Sequence, residues 1–378
     1  MMLRCSRCGG QIAEETLAWR CGCGGYLNCP EESFRYAPDP SRSGIWRYAS
    51  SLPVADPDHP VSLGEGMTPL VSAEWEYAGG KAPVLCKLES LSPSGSYKDR
   101  GIAVLVSRIR ELGVRKIAED SSGNAGASMA AYCAAAGIAC DVYVPESTSE
   151  GKCVQIAAYG ANLVRVPGPR EATTEATLEA AKTVYYASHN WSPSYPLGLK
   201  TWALEVFEQA GGMPDTALCP AGQGSPVRGP EAGSPAMARS GEAPRVPRLC
   251  GAQAPPAPPL HQAWKRDAKE PPPARPEPIL AERILSAMPV RGDYTLHAVR
   301  QSGGALAAVS EKAIWDAFTE AAAKGFYMEP TSAVAFAGLT QFLDGGVIKP
   351  GEKSVVLVSG FGLKATDKIM ALRASPPV

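Results

Sequence analysis

Short apolar runs alternate with amphipathic stretches between residues 84 and 187, and this pattern predicts alternating strands and helices. The predicted strands are residues 84–88, 116–120, 139–144, 162–166 and 184–187. The predicted helices are residues 99–111, 124–136, 150–159 and 170–182. Gly113, Gly137 and Gly160 each follow a predicted helix, at the position where a left-handed glycine commonly ends it. Such alternation is typical of parallel strand–helix–strand units, with helices covering both faces of a sheet.

A strand is also predicted at 216–219, but the residues that follow it break the pattern. Residues 226–248 are crowded with proline, glycine, alanine and arginine and have no hydrophobic period, so we do not expect a helix there. Two interpretations remain open for this segment: a disordered insertion, or coding sequence read out of frame. Regular structure is expected again as helices at 310–323 and 331–344 and a strand at 354–358.

The 378 residues, 45% of them hydrophobic, are enough for more than one folding unit. A formal net charge of -1 provides no basic field for nucleic acid, so the expected partner is a small molecule. The longest apolar run, residues 129–140, is shorter than the roughly 20 residues that span a bilayer, and residues 1–30 lack a signal-peptide pattern. We therefore expect a cytoplasmic protein without membrane association.

Four of the eleven cysteines cluster in a glycine-rich stretch near the start of the chain. Cys5, Cys8, Cys21 and Cys23 supply four thiolates, which is the number that a closed tetrahedral zinc site requires. Zinc is therefore a candidate structural ion, with Cys29 as an alternative ligand. The other interpretation is a metal-free ribbon that packs on the rest of the protein.

Three short loops combine glycine with residues suited to binding or catalysis. Lys98 lies in the sequence Ser-Gly-Ser-Tyr-Lys-Asp-Arg-Gly at 94–101 and begins a predicted helix, whose dipole favours the neutral amine that attacks an aldehyde. Residues 121–128, Ser-Ser-Gly-Asn-Ala-Gly-Ala-Ser, connect a strand to a helix and can bind carboxylate or phosphate through backbone amides. Residues 222–225, Gly-Gln-Gly-Ser, also follow a strand and can bind phosphate. Taken singly, Lys98 could be an ordinary surface lysine, and each of the other two loops could be an ordinary turn between a strand and a helix.

These loops form an ordered series with two further segments, Glu-Pro-Thr-Ser-Ala at 329–333 and Ser-Gly-Phe-Gly-Leu-Lys at 359–364. In this order the five segments resemble the threonine synthase branch of the fold-type II pyridoxal-phosphate (PLP) enzymes, over about residues 63–367. The cysteine cluster is similar to an extension present on some threonine synthases. The resemblance implies an α/β fold of two doubly wound domains with the active site between them, and a small zinc-ribbon-like extension at the N-terminus.

The same resemblance divides the chain into four parts. Residues 1–30 would be the cysteine-rich extension, and residues 31–83 the first part of the large domain. Residues 84–200 would mainly form the smaller α/β domain, which carries Lys98 and the Ser-Gly-Asn loop. Residues 201–378 would complete the large domain, with the cofactor phosphate loop and the anomalous segment 226–248.

The resemblance also implies roles for individual residues. Lys98 would form the Schiff base with PLP and later carry a proton, and Asn124 would hydrogen-bond the 3-oxygen of the cofactor. Ser359 would face the pyridine nitrogen, where a neutral hydroxyl leaves the ring a weaker electron sink, which suits elimination and replacement chemistry. The residues implied to bind the substrate carboxylate are Ser121, Ser122, Gly123 and Ala125. The residues implied to bind the cofactor phosphate are Gly222, Gln223, Gly224 and Ser225.

The resemblance implies a homodimeric lyase that converts O-phosphohomoserine and water into threonine and phosphate. Many family members carry an arginine that binds the substrate phosphate shortly before a Gly-x-Lys-Thr sequence, but residues 190–201 contain none. A related eliminase or β-replacement enzyme, similar to serine/threonine dehydratases or cysteate/cysteine synthases, is therefore the first alternative. The second alternative is an inactive homologue or a zinc-ribbon interaction protein.

Overall fold

The computed structural model describes residues 1–30, 35–243, 245–256, 258–275, 277, 279–284 and 288–377. The chain divides into two compact units. The first unit comprises Met1–Met67 and Ser92–Thr201, and the second comprises Thr68–Leu91 and Trp202–Val378. The expected start of the large domain at residue 31, and Pro244 of the anomalous segment, lie outside the described residues.

Strands and helices of the described residues are numbered in chain order. The strands are β1 (Met2–Cys5), β2 (Gln11–Ala13), β3 (Leu27–Asn28), β4 (Leu70–Tyr77), β5 (Gly80–Lys87), β6 (Lys116–Glu119), β7 (Ala139–Pro145), β8 (Asn162–Val166), β9 (Tyr185–Tyr186), β10 (Thr216–Pro220), β11 (Arg248–Gln253), β12 (Leu306–Ala308) and β13 (Ser354–Leu357). The α-helices are α1 (Lys98–Glu111), α2 (Asn124–Ala136), α3 (Glu150–Ala158), α4 (Arg170–Ala180), α5 (Tyr195–Leu199), α6 (Thr201–Ala210), α7 (Ser225–Arg239), α8 (Pro259–Lys265), α9 (Gly292–Gln301), α10 (Glu311–Ala323), α11 (Pro330–Asp344) and α12 (Thr366–Ala374).

The larger sheet of the first unit has four parallel strands in the order β8-β7-β6-β9. Its strands are short and apolar, and Ile117 and Val142 in the two middle strands are fully buried. Gly113, Gly137 and Gly160 follow α1, α2 and α3 with φ values of 78°, 66° and 82°. Because glycine has no Cβ, it adopts this left-handed conformation without strain. The alternating strands and helices predicted for this stretch are confirmed.

A second, antiparallel sheet in the order β2-β1-β3 forms the cysteine-rich ribbon at the start of the chain. The ribbon packs on α5 of the same unit through a small apolar cluster that contains Leu3, Leu27 and Leu197. Glu14, directly after β2, accepts hydrogen bonds of 3.0 and 2.7 Å from the Arg108 guanidinium on α1. The ribbon is therefore attached to the first unit by both apolar packing and a paired charge.

The second unit contains a six-stranded sheet in the order β12-β11-β10-β13-β5-β4. Its strands are parallel except for β4, which pairs with β5 in the antiparallel direction. The sequence pattern did not predict β4, because this edge strand buries only Trp75 and has no apolar alternation. Helix α11 packs on β10 and β11, and Gly338 lets it approach Ala252 closely. The core of this unit lies between the sheet and α11.

The prediction that residues 226–248 do not form a helix is wrong, because α7 occupies Ser225–Arg239. Pro226 lies in the first turn, where a helix needs no backbone donor. Pro230 lies inside the helix, where a proline costs about 3 kcal/mol. Apolar burial offsets this cost, since Val227 and Met237 are almost completely buried and α7 packs on β10, β11 and α9. Tertiary packing therefore overrides the local helix propensity.

Candidate active site and metal centre

Lys98 begins α1 and is 9% exposed. The loop that leads to it is held by the next residue, Asp99, which is completely buried. The Asp99 carboxylate accepts hydrogen bonds from the Ser94 backbone N–H at 2.6 Å, from the Ser94 hydroxyl, and from the Ser128 hydroxyl on α2 at 2.6 Å. Burial raises the pKa of Asp99 to about 6, although these hydrogen bonds oppose the shift. The loop geometry around Lys98 thus depends on a buried carboxyl group.

Two tyrosine rings flank the Lys98 amine. Its Nζ lies 4.8 Å from the centre of the Tyr97 ring and 5.5 Å from the centre of the Tyr195 ring. Tyr195 begins α5, which packs closely on α1. A Cβ at Gly101 would overlap the Tyr195 ring, and a Cβ at Gly198 would overlap a backbone carbonyl of α1. The two glycines are therefore required for the position of Tyr195 beside Lys98.

A buried acid and a buried imidazole lie in the same region of the first unit. His189 Nδ1 is 3.2 Å from Oε1 of Glu119, and the imidazole packs edge-on against the Tyr195 ring at 5.6 Å. Burial raises the pKa of Glu119 well above its usual range, and burial lowers the pKa of His189 well below its usual range. Both groups therefore favour their neutral forms, and a positive charge on Lys98 would lower the pKa of each. The sequence analysis did not identify this pair.

The Ser-Ser-Gly-Asn loop connects β6 to α2, which begins at Asn124. A Cβ at Gly126 would overlap the carbonyl of Ser121, so this glycine is needed for the tight entry into α2. Just before the loop, Asp120 accepts hydrogen bonds of 3.1 Å from Tyr186 and Thr174 and of 3.0 Å from Arg170. These contacts fix the end of β6. Lys98 and the predicted substrate-binding residues 121–125 therefore belong to the same unit.

The Gly-Gln-Gly-Ser loop belongs to the second unit, where it leads from β10 into α7. A Cβ at Gly222 would lie 2.7 Å from the Ile284 Cα, and Gly224 has a φ of +83°. Among the described residues, the N–H groups of Gly222, Gln223 and Gly224 donate to no backbone carbonyl. Free amides at the start of a long helix are suited to an anion. This loop therefore fits the phosphate of PLP.

Arg228, in the first turn of α7, is a further feature that the sequence analysis missed. Its side chain is 7% exposed and lies over the Tyr294 ring, with 4.0 Å from Cζ to the ring centre. In the described part of the chain, its Nε and Nη1 have no hydrogen-bond partner. A buried cation with two unused donors favours an anionic ligand nearby. This observation agrees with the use of the preceding loop as an anion site.

Ser359 follows β13 and is buried in a small polar network of the second unit. Its hydroxyl lies 3.0 Å from the Ser332 hydroxyl and donates to Glu329 Oε1 at 3.1 Å. The Glu329 side chain also lies against Gly360. A Cβ atom on Gly360 would lie only 2.5 Å from the Glu329 carboxylate. Glu329 therefore orients Ser359. It also directly precedes Pro330, the first residue of α11.

The four N-terminal cysteines form a compact cluster of thiols. The Sγ atoms of Cys5, Cys8, Cys21 and Cys23 all lie within 4.8 Å of one another. The Cys5–Cys23 and Cys8–Cys21 Sγ distances are 3.4 and 3.7 Å. Zn–S bonds of about 2.3 Å in a tetrahedron place the sulfur atoms about 3.8 Å apart, so the cluster fits zinc. Cys29 instead lies 3.5 Å from the Pro193 carbonyl, against the segment that leads to α5.

Comparison with solved structures identifies the fold. The structure of maize serine racemase superimposes with a TM-score of 0.67 at 19% identity, over 81% of this chain and 92% of that chain. A threonine deaminase from T.th. gives a TM-score of 0.60 at 22% identity, over 78% of this chain and 92% of that chain. The predicted fold class, that of the fold-type II PLP enzymes, is thereby confirmed.

Sequence comparison identifies the family. The family described as pyridoxal-phosphate dependent enzymes matches residues 61–360, so the chain belongs to it. The chain is 34% identical to the threonine synthase of Methanocaldococcus jannaschii, over 99% of this chain and 95% of that protein. It is 32% identical to the threonine synthase of Mycobacterium leprae, over 88% of this chain and 91% of that protein. Within the PLP-dependent enzymes, the chain is thus a lyase of the threonine synthase type, as its sequence predicted.

No helix in the described part of the chain is long and apolar enough to cross a membrane.

Proposed function

We propose that this enzyme converts O-phosphohomoserine and water into threonine and phosphate, with PLP attached to Lys98. The observation that carries the proposal is the buried position of Lys98 at the start of α1, in the same unit as the loop 121–125 and in a chain of threonine synthase type. Burial disfavours the charged form of a lysine, and an uncharged amine is the form that attacks an aldehyde.

When bound, PLP withdraws electrons from the substrate and so acidifies its Cα and Cβ hydrogens. The Lys98 amine removes one proton from Cα and one from Cβ, and phosphate leaves Cγ. The two protons return to Cγ and Cα, while the hydroxyl of water adds at Cβ and its remaining proton goes to the released phosphate. Backbone amides and hydroxyls of Ser121, Ser122, Gly123 and Ala125 bind the substrate carboxylate. Asn124 donates to the 3-oxygen of the cofactor. Together these groups fix the substrate so that its reacting hydrogen faces the amine.

In the second unit, the amides of residues 222–225 bind the cofactor phosphate, and Ser359 contacts the pyridine nitrogen. The contacts of Ser359 with Ser332 and Glu329 hold its side chain in place for this role, in which the hydroxyl proton turns from Glu329 to the ring nitrogen. A hydroxyl leaves the ring nitrogen largely unprotonated, whereas a carboxylate partner would keep it protonated. The site is therefore suited to elimination and addition of water.

A second candidate is a related eliminase or β-replacement enzyme that acts on serine, threonine or another amino acid. The observation that favours it is the absence of an arginine from residues 190–201, which include the Tyr195 segment beside Lys98. A dianionic phosphate is usually bound by a cationic side chain. An inactive homologue or a zinc-ribbon interaction protein is the remaining alternative, and it predicts no turnover.

The remaining features of the proposal concern the ion, the assembly and the location. The thiol cluster of Cys5, Cys8, Cys21 and Cys23 binds a structural Zn²⁺, as its sulfur distances suggest. The enzyme acts as a cytoplasmic homodimer on a small amino-acid substrate, without nucleic acid or membrane partners. A net charge of -1 supports the lack of nucleic-acid binding.

The test is to purify the protein, record its visible absorbance, and assay turnover of O-phosphohomoserine, serine and threonine. We expect absorbance from bound cofactor, with phosphate release from O-phosphohomoserine. Lys98→Ala should abolish the absorbance of the covalently bound cofactor and lower kcat by about 100- to 10,000-fold, the usual contribution of an acid–base group. Lys116→Ala is the matched control, because Lys116 is an exposed lysine paired with Asp141 in the same unit.

Turnover of serine or threonine without turnover of O-phosphohomoserine would assign the second candidate. A protein that binds no cofactor, or one whose spectrum and activity survive Lys98→Ala, would contradict both enzymatic candidates.

A further inference from the structure

The Tyr195 side chain combines complete burial with an unused hydroxyl. The residue is 1% exposed, and its hydroxyl has no hydrogen-bond partner among the described residues. An unsatisfied buried hydroxyl destabilises a protein, so native structures contain few of them, and those that occur need an explanation. The ring cannot turn this hydroxyl toward solvent, because Gly101 and Gly198 hold it against α1.

The hydroxyl lies in the region of the proposed chemistry. The Tyr195 ring centre is 5.5 Å from Lys98 Nζ, and the ring also contacts the His189 imidazole, with 5.6 Å between the two ring centres. His189 already interacts with Glu119 through Nδ1. The pKa of Tyr195 lies well above its usual range, mainly because the group is buried and secondly because Tyr97 is close to it. The phenol therefore stays protonated and can donate. A protonated phenol is suited to an acceptor oxygen.

We infer that Tyr195 is a specificity-determining residue whose hydroxyl donates a hydrogen bond to a side-chain oxygen of the amino-acid substrate. The inference rests on the proposed function, since it needs an amino acid bound beside Lys98. Residues 121–125 are already proposed to bind the carboxylate of that amino acid. Its side-chain oxygen is therefore the remaining acceptor for the Tyr195 hydroxyl. A neutral donor at this position can donate to a hydroxyl or ester oxygen, and this hydrogen bond does not require the ligand to carry the charge of a phosphate.

The test compares two ligands that differ by one oxygen, L-homoserine and L-2-aminobutyrate. Their binding to the PLP-loaded enzyme is measured by the change in visible absorbance, which requires no turnover. Tyr195→Phe keeps the ring and removes the hydroxyl. It should weaken homoserine binding by about 3- to 10-fold, the equivalent of one neutral hydrogen bond, and leave aminobutyrate binding unchanged.

Tyr132→Phe is the matched control, because Tyr132 is a fully buried tyrosine of the same unit whose hydroxyl does have a partner, Glu65 Oε2 at 2.7 Å. It should lower the thermal stability and affect the two ligands equally. Tyr195→Phe should lower the stability less than Tyr132→Phe, since the Tyr195 hydroxyl has no partner in hydrogen-bonding geometry among the described residues. This contrast separates a role in binding from a role in folding.

Equal effects of Tyr195→Phe on both ligands, or no effect on either, would overturn the inference while leaving the proposed function intact. A wild-type protein that lacks Lys98-dependent cofactor absorbance would instead refute the proposed function, and the role of Tyr195 with it. With O-phosphohomoserine, Tyr195→Phe should raise KM more than it lowers kcat, because Lys98 and its proton transfers are untouched.

Discussion

Replacement of Asp99 by asparagine tests whether a buried carboxyl group controls the loop that precedes Lys98. The asparagine amide has the same shape and can still accept from the Ser94 backbone N–H while it donates to the two serine hydroxyls. It cannot titrate. The difference in the free energy of unfolding between the wild type and Asp99→Asn therefore isolates the proton that binds to Asp99.

The sign and size of the effect follow from the pKa of Asp99, which burial raises from 3.8 to about 6. The folded protein holds this proton more tightly than the unfolded chain, so the stability from protonation is fully present below about pH 4 and is lost as the pH rises through about 6. A shift of about two pKa units corresponds to about 3 kcal/mol. The wild type should therefore gain up to about 3 kcal/mol relative to Asp99→Asn between pH 8 and pH 4, and roughly half of this by pH 5.

Urea denaturation of both variants, followed by tryptophan fluorescence at several pH values and one fixed cofactor concentration, measures this difference. Other titrating groups, including Glu119, are present in both variants and largely cancel. Asp39→Asn is a control of opposite sign, because hydrogen bonds from Ser41 lower the pKa of Asp39. A wild-type advantage over Asp99→Asn that stays constant, or that shrinks on acidification, would refute the burial argument.

Two further predictions concern α7 and the cysteine ribbon. Pro230→Ala should stabilise the protein by about 3 kcal/mol in urea denaturation, because it restores a helix hydrogen bond, whereas Pro226→Ala in the first turn should have little effect; equal effects would argue against a helix at 225–239. Cys8→Ser should reduce the zinc content from about one ion per chain to none and lower the melting temperature, whereas Cys29→Ser should keep the zinc. Retention of zinc by Cys8→Ser would exclude the four-thiolate site.

Much of the fold could be predicted from the sequence, since local chemistry determines it. The 3.6-residue and two-residue hydrophobic periods predicted α1 to α4 and β6 to β9 to within a few residues, and the glycines after three of these helices have the positive φ values expected of them. The order of five short segments was enough for the family. The cysteine spacing predicted four thiols that could share one ion, and the structure brings their sulfur atoms together.

The candidate site was only partly predictable. Lys98 and the glycine loops could be found because each combines a reactive or flexible residue with the start of a helix. The roles proposed for them stay predictions until a bound cofactor is observed. Glu119, His189 and Tyr195 could not be found, because 70 residues separate Glu119 from His189 in the sequence and nothing in their local pattern signals chemistry.

By itself, the sequence determined which segments form strands, helices and tight loops wherever the hydrophobic period is strong, because those choices depend on neighbours a few residues apart. Only the tertiary structure decided that Ser225–Arg239 is a helix despite its prolines, because the burial of Val227 and Met237 outweighs the local cost. The tertiary structure also decided that Tyr195 lies beside Lys98. Burial shifts the pKa of a group and removes the water around it. Which groups are buried depends on residues that lie far apart in the chain.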